Sequence, residues 1–364
     1  MWLRRRALVS NTVTRERSER MGSWMNRSKA FVLRTLLGER GYELWKLRRG
    51  FQRQVVQAHY PRVPLRPVDN DGRERVLVAM FNGFTSHGGL ADRLRGIVSA
   101  YSYAREHGLR FAILWTSPFH LEDYLVPASF DWTISPQAVR YERPYACPIV
   151  IGSLYKLLHL DKGLEARAQI RMLDSVLARH PDSVQYHLYS NAHFGDSDYH
   201  RLFHRLFRPS ARLQRLLDVH MQALGRDYLA MTFRFMHLLG DFRDERDGAA
   251  LDEAQRWDYV HACLQCIRDM HARCPRSTIL VTSDSAAFLR EAALLPAVYV
   301  VRGTVQHIGS PVPYAASYDK EFVDLFLLAR ARTIYRVHKD SMYYSGFPLA
   351  AAMIGHVPVC TLEI

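Results

Sequence analysis

A chain of 364 residues is about twice the usual domain length, so two domains sharing one cleft are expected rather than a single core. With 48% hydrophobic and 12% aromatic residues, it has ample material for packed interiors, which excludes disordered, collagenous and low-complexity architectures for most of its length. The formal charge of +13 is unevenly placed: residues 1–75 hold 18 Arg or Lys against 7 Asp or Glu, whereas residues 76–364 hold 31 against 29. A basic arm on a nearly neutral body argues against a nucleic-acid enzyme, whose cations would line the groove of the folded part.

The arm, residues 1–75, admits two readings. One is peripheral contact with an anionic membrane through residues 1–60, where each Arg or Lys near the surface contributes roughly 1 kcal/mol. The other is a solvated leader with no partner. No stretch reaches the ~18–20 uninterrupted apolar residues of a membrane-spanning helix, since the best segment, residues 30–37, is short and broken by Arg34. Residues 1–20 lack the apolar core and cleavage site of a secretory signal. The expectation is a cytoplasmic protein, peripheral to the inner face of the membrane at most. Five cysteines in no even framework agree with a reducing compartment.

In chain order, residues 29–57 predict one or two basic helices, with Phe31, Leu36, Leu37, Leu44, Trp45, Leu47 and Phe51 available to pack. Pro61, Pro64, Pro67 and the polar run from Asp69 to Arg75 predict a linker. The period then changes. Val76 to Phe81 predicts a buried strand, Asn82 to Gly89 a glycine-rich loop, Leu90 to His107 an amphipathic helix, and Leu109 to Trp115 a second strand. Such a parallel unit binds ligands at the carboxyl ends of its strands. Residues 155–180 predict a helical elaboration of this half.

A second alternating half follows a boundary near Phe207 to Ser210. It predicts strands from Tyr228 to Phe233, Thr278 to Thr282, Val298 to Val301 and Thr333 to Val337, with helices from Asp252, Ala286, Lys320 and Pro348 between and after them. The fold class is therefore α/β, with two facing Rossmann-like domains, 76–208 and 209–364, behind a basic helical N-terminal extension. The run from His261 to Cys274 carries a zinc-like set of residues. Val260, Cys263, Leu264, Ile267, Met270 and Cys274 nevertheless fall on one helical face, which predicts a core helix instead.

Four constellations carry chemistry. Gly88-Gly89-Leu90-Ala91-Asp92-Arg93 opens the first helix, with Asn82 and His87 just before it, and lets an anion approach backbone N–H groups at a helix N-terminus. The dinucleotide pattern G-x-G-x-x-G is absent. Phe233-Arg234 ends a strand of the second half, where a guanidinium can hold a diphosphate bidentately, and His237 and Gly240-Asp241 follow. Ser283-Asp284 tips the next strand, suited either to a ribose or base or to capping the following helix. Ser341 to Phe347, with Ser345 and Gly346, lies before a helix that has Pro348 at its start and forms a phosphate cradle without a Walker pattern.

Together these motifs resemble the GT-B fucosyltransferase superfamily, whose members use GDP-fucose. The Gly88 loop is similar to G-G-L-G-N-R-L, with Ala91 and Asp92 in place of Gly and Asn. Arg234 to Asp241 is similar to H-x-R-x-G-D, with Thr232 in place of His and four extra residues before Gly240. Ser283-Asp284 resembles the second family motif, and Asp324-Leu-Phe-Leu-Leu with the serine loop resembles the third.

The resemblance implies a GT-B fold and inverting, metal-independent transfer of fucose from GDP-fucose to a glycan or glycolipid. The GDP-sugar is then a substrate, with no cofactor and no metal site. It implies Arg234, Ser283, Asp284, Asp324, Ser341, Ser345 and Gly346 on the donor. Arg234, Asp241 and His237 are the catalytic candidates, with Asp92 behind them as a base, and Asn82, His87, Gly88, Gly89, Asp92 and Arg93 form the cleft loop. First-domain loops such as Phe119 to Pro127 and Asn191 to His200 would meet the acceptor. The alternative is a nucleotide- or glycan-binding protein of the same fold without transfer.

Overall fold

A computed structural model describes residues 38, 41–43, 45–63, 74–152, 161–194, 198–242, 249–305, 308 and 317–364. Phe31, Leu36, Leu37, Leu44, Pro64, Pro67 and the polar run up to residue 73 lie outside the described residues, as do residues 155–160 of the expected helix and residues 195–197 of the expected acceptor loop. From the N-terminus the body comprises β1 (Val76–Phe81), α1 (Leu90–Glu106), β2 (Arg110–Trp115), β3 (Leu125–Pro127), β4 (Ala146–Ile151), α2 (Lys162–Arg179), β5 (Gln185–Ser190) and α3 (Tyr199–Leu206). It continues through β6 (Phe207–Pro209), α4 (Ala211–Leu224), β7 (Tyr228–Phe233), α5 (Glu253–Arg273), β8 (Thr278–Ser283), α6 (Ala286–Ala292) and β9 (Val298–Tyr299). The last elements are α7 (Asp319–Leu328), β10 (Thr333–His338), α8 (Phe347–Gly355) and β11 (Val359–Glu363).

Two parallel sheets result, ordered β2-β1-β5-β4 and β11-β10-β7-β8-β9. β1 and β7 are buried along their whole length, which is why each reads as a continuous apolar run. In both sheets the order turns at the first strand: β1 lies between β2 and β5, and β7 between β8 and β10. The crevice at such a reversal, at the carboxyl ends of the strands, is where α/β sheets take ligands. At the expected boundary, β6 pairs antiparallel with β3 of the first half, and Ser210 then caps α4 by accepting the Leu213 N–H.

Strands β4, β5 and β11 and helices α3 and α4 are absent from the sequence-based expectation. For β5 the reason is its polarity, since Gln185, His187 and Ser190 interrupt the apolar pattern yet are buried. These groups satisfy one another: His187 Nδ1 and Tyr189 Oη lie 2.8 and 2.9 Å from Tyr60 Oη, and His187 Nε2 lies 3.0 Å from Gln185 Oε1. Burial lowers the pKa of His187 to about 3 and so keeps it neutral. Tyr60 follows a helical segment whose Phe51, Val55 and Val56 are also buried against the first sheet. Residues 51–60 therefore belong with the first domain, not with the arm to which the sequence assigns them. On α5, Cys263, Leu264, Ile267 and Met270 form a buried stripe, as the core-helix reading expects.

The halves are locked together by packing. α8 rests on α1 and α3, and the Ile354 carbonyl at its end is hydrogen-bonded by His200 and His204 at 2.6 and 3.0 Å. Phe322 of α7 stacks on Tyr124 of the first half with ring centroids 4.2 Å apart, beside Phe119 and Tyr318. The Tyr124 hydroxyl also accepts the Tyr318 N–H at 2.9 Å. Among the described residues no helix is long and apolar enough to cross a membrane.

Helix α1 approaches the end of β5 so closely that a Cβ on Gly96 would lie 2.7 Å from the Ser190 carbonyl oxygen and 2.9 Å from Asn191 Cα. Replacing Gly96 with Val forces backbone apart on both sides, and overpacking of this kind costs about 1–3 kcal/mol. A lowered midpoint in urea at unchanged slope is the expected result for Gly96→Val.

Candidate functional site

The carboxyl ends of the strands at the two reversal points face one cleft of about 570 Å³. The first half supplies Gly88, Gly89, Asp92 and Arg95; the second supplies Arg234, Ser283, Asp284, Lys320, Glu321, Asp324 and Ser345 to Pro348. Gly88 has φ +69°, and Gly89, the N-cap of α1, has no side chain of its own to cap the helix. The Leu90 N–H is taken by the Glu321 carboxyl of the second half, and the other N–H groups of the first turn open toward the cleft. Arg93 is buried beneath this loop rather than facing a ligand. Its Nε donates to the Gly88 carbonyl and its Nη1 to the Ser117 carbonyl, both at 3.0 Å, with its guanidinium over Trp115. Arg93 holds the shape of the turn.

Register brings the second-half residues level, since Phe233 lies opposite both Ser283 and Val337. Arg234 and Asp284 are therefore neighbours one step past the strand ends, with Arg234 Nε 3.3 Å from Asp284 Oδ2. Asp284 also accepts the Phe235 N–H at 2.9 Å and the Met236 N–H at 2.7 Å. Met236 has φ +54°, a left-handed conformation that costs about 1–2 kcal/mol outside glycine, and the Asp284 carboxylate holds it there. Burial pushes the Asp284 carboxyl up, against Arg234 and the two N–H groups, which favour the charged form. The Arg234 guanidinium lies 4.7 Å from the centre of the Phe242 ring. The Arg234 carbonyl accepts the Tyr343 N–H at 3.0 Å, which ties the serine loop to the end of β7.

Several expected roles change. Asp241 does not reach the cleft: it is exposed, and its Oδ2 accepts the Ser285 hydroxyl and the Ala287 N–H, both at 2.9 Å, so it caps α6. His237 also lies off the cleft lining, its Nδ1 buried without a partner among the described residues. Ser341 is exposed outside the cleft, its N–H on the Tyr259 hydroxyl. Asn82 stands below the loop, donating to Tyr141 and Tyr189, and His87 is buried against Phe81 and Tyr189, its pKa lowered to about 3 by burial. Asp284 fastens Arg234 instead of presenting two open oxygens. Gly88, Gly89, Asp92, Arg234, Ser283, Asp324, Ser345 and Gly346 do line the cleft.

Three groups in the cleft were missed by sequence reasoning. Arg95 pairs with Asp92, and its Nη2 lies 3.3 Å from where a Cβ on Gly346 would stand, so it bridges the two halves. Lys320 is buried in an ion pair with Asp324 at 2.7 Å. Glu321 lines the cleft beside them. The signal available was four charges on an otherwise apolar helix, at positions 319, 320, 321 and 324. Among the described residues no three His, Cys, Asp or Glu converge as a metal-binding cluster.

Two parallel α/β sheets facing one cleft at their reversal points define the GT-B class of fold. No family model and no curated protein matches the sequence. Among solved structures, the chain is similar to the NodZ alpha-1,6-fucosyltransferase soaked with GDP-fucose, at 17% identity and TM-score 0.50, covering 79% of this chain and 94% of that one. It is likewise similar to the selenomethionine form of the fucosyltransferase NodZ from Bradyrhizobium, at 16% identity and TM-score 0.50, over 80% and 96% of the two chains. Arabidopsis thaliana FUT1, as a mutant in complex with GDP, matches at 11% identity and TM-score 0.50, over 86% of this chain and 74% of that one. The chain thus has the GT-B fold of the fucosyltransferases.

Removing Asp284 leaves two N–H groups and a half-buried guanidinium without their common acceptor. Asp284→Ala is expected to lose about 3 kcal/mol of stability, the scale for breaking a buried ion pair from one side, as read by urea unfolding.

Proposed function

We propose that the protein is an inverting glycosyltransferase that moves fucose from GDP-fucose to a glycan or glycolipid acceptor without a metal ion. The observation that carries the reading is Arg234, fixed by Asp284 at the second reversal point and lining the cleft with the Ser345-Gly346 loop of the same half. In such a transfer the acceptor oxygen bonds to the anomeric carbon while the bond from that carbon to the diphosphate breaks, and the electron pair leaves on the diphosphate. The sugar is oxocarbenium-like at the transition state, and the negative charge grows on the leaving group.

A guanidinium already aimed at that charge lowers the barrier without reorganising, and preorganised stabilisation of this kind is commonly what contributes most to catalysis. The positive end of α8, behind Ser345 and Gly346, adds to it, although the Phe347 N–H is taken by Ser345 Oγ and Pro348 has none. In this reading the donor sits against the second sheet and the acceptor enters from the Gly88 loop. Of the three expected candidates for a base, Asp92 is the one that lines the cleft, on the acceptor side. We assign the acceptor proton to it. Ser283 and Asp324 line the same cleft, and we assign them to the nucleoside.

Calorimetry with GDP and release of free fucose from GDP-fucose test the reading. Wild-type protein is expected to bind GDP and to hydrolyse the donor slowly. Arg234→Ala should abolish both, and Arg234→Lys, which keeps the charge but not the planar fork, should weaken GDP binding by roughly tenfold. Unchanged GDP affinity in both variants would remove Arg234 from the site.

A further inference from the structure

Glu321 is the charged residue of α7 that the transfer chemistry leaves unused. The rest of that helix is committed: Phe322, Val323 and Leu325 to Leu328 are buried, and Lys320 and Asp324 neutralise each other. The side chain of Glu321 reaches from the second half to the N-terminus of α1, where the Leu90 N–H donates to its carboxyl. Its charged neighbours are Arg93 from α1, Arg234 from the end of β7 and Asp324 from its own helix, with the Tyr318 phenol one turn before it. The Oε2 atom is sealed from solvent and has no hydrogen-bond partner among the described residues. The stack of Phe322 on Tyr124 fixes this turn of α7 against the first half.

Burial pushes Glu321 up to about 8, outweighing Arg93 and Arg234, which favour the charged form. Near neutral pH the group is therefore mostly a carboxylic acid, with one O–H to donate. Its position beside Arg234 gives that state a consequence. An ionised carboxylate there repels a diphosphate and competes for the same guanidinium, whereas a neutral acid offers the phosphate oxygens another donor. Buried carboxyl groups held neutral in this way serve as hydrogen-bond donors in enzyme sites.

We propose that Glu321 works as a neutral acid in the anion-binding cleft, donating its O–H to the diphosphate held by Arg234, so that a nucleoside diphosphate binds the protonated form of the protein. This rests on the donor reading given under Proposed function. The ionised protein must then take up one proton from solvent for each ligand bound.

Calorimetric titration with GDP from pH 6.5 to 9, in buffers of different ionisation enthalpy, tests the inference. For the wild type, affinity should fall above about pH 8 toward tenfold per pH unit, with proton uptake approaching one per GDP. Glu321→Gln keeps a neutral donor and should show neither effect; titration of GDP itself is common to both proteins and cancels in the comparison. An equal decline in Glu321→Gln, or a flat wild-type profile, overturns the role of Glu321 and leaves the donor reading intact. Absence of wild-type GDP binding at pH 6.5 overturns the donor reading and this role with it.

Thermal melting supplies a second measurement. The unfolded chain loses the Glu proton near pH ~4.3, whereas the folded protein keeps it to about 8. Between those values the folded state binds more protons, so stability falls as pH rises. Glu321→Gln should therefore melt above the wild type at pH 8 and lose that advantage toward pH 4. A lower melting temperature at pH 8 would show a stabilising carboxylate and overturn the proposal.

Discussion

The site depends on one buried carboxylate. Asp284 takes two backbone N–H groups and one guanidinium from the segment that leaves β7, and each of these would otherwise be underpaired where the strand ends. A carboxylate is the side chain suited to this: it accepts several hydrogen bonds, and its charge offsets the desolvation of Arg234. The arrangement fixes the arginine before any ligand arrives. It also fixes the left-handed turn at Met236 and, through the bond from the Tyr343 N–H to the Arg234 carbonyl, the loop that follows the neighbouring strand β10. Strand register, turn and serine loop thus meet at one residue.

The second constraint is the neutralisation of charge within the cleft. Lys320 with Asp324, Arg95 with Asp92 and Arg234 with Asp284 are pairs, each drawn from one half of the molecule. What crosses between the halves is mostly apolar, above all the stack of Phe322 on Tyr124, together with the two histidines on the Ile354 carbonyl. Rigid apolar packing sets the distance between the sheets, and the polar groups are carried into place by it. Glu321 is the exception, since its charged neighbours come from both halves.

Much of this was legible in the sequence because parallel strands buried on both faces leave an unmistakable apolar run. Val76 to Phe81 and Tyr228 to Phe233 are such runs, and the polar residue just beyond each run lies at the mouth of the sheet by geometry alone. Arg234 could therefore be placed without any knowledge of its neighbours. β5 could not, because its polar side chains are satisfied by Tyr60, distant in sequence, and a network closed by long-range contacts leaves no local pattern. Glu321 was hidden for a related reason: its significance lies in the Leu90 N–H and the two arginines it meets, none of which is near it in the chain.

The departure of Arg234 to Asp241 from the fucosyltransferase pattern has a physical account. The residues between Arg234 and Gly240 include Phe235, Leu238 and Leu239, all buried in the core beside Phe233 and Phe288. Burying three large apolar side chains draws the chain down onto the sheet, and the Leu251 N–H holds it there by donating to the Leu238 carbonyl at 3.0 Å. The acid that follows, Asp241, emerges on the far side, where the open N-terminus of α6 and the Ser285 hydroxyl receive it. A carboxylate is favourable at a helix N-terminus in its own right, so the residue is retained there without contact with the cleft. The inserted residues thus convert a position expected to face the ligand into a helix cap, and the carboxyl groups left in the cleft lining are Asp92, Asp284, Glu321 and Asp324.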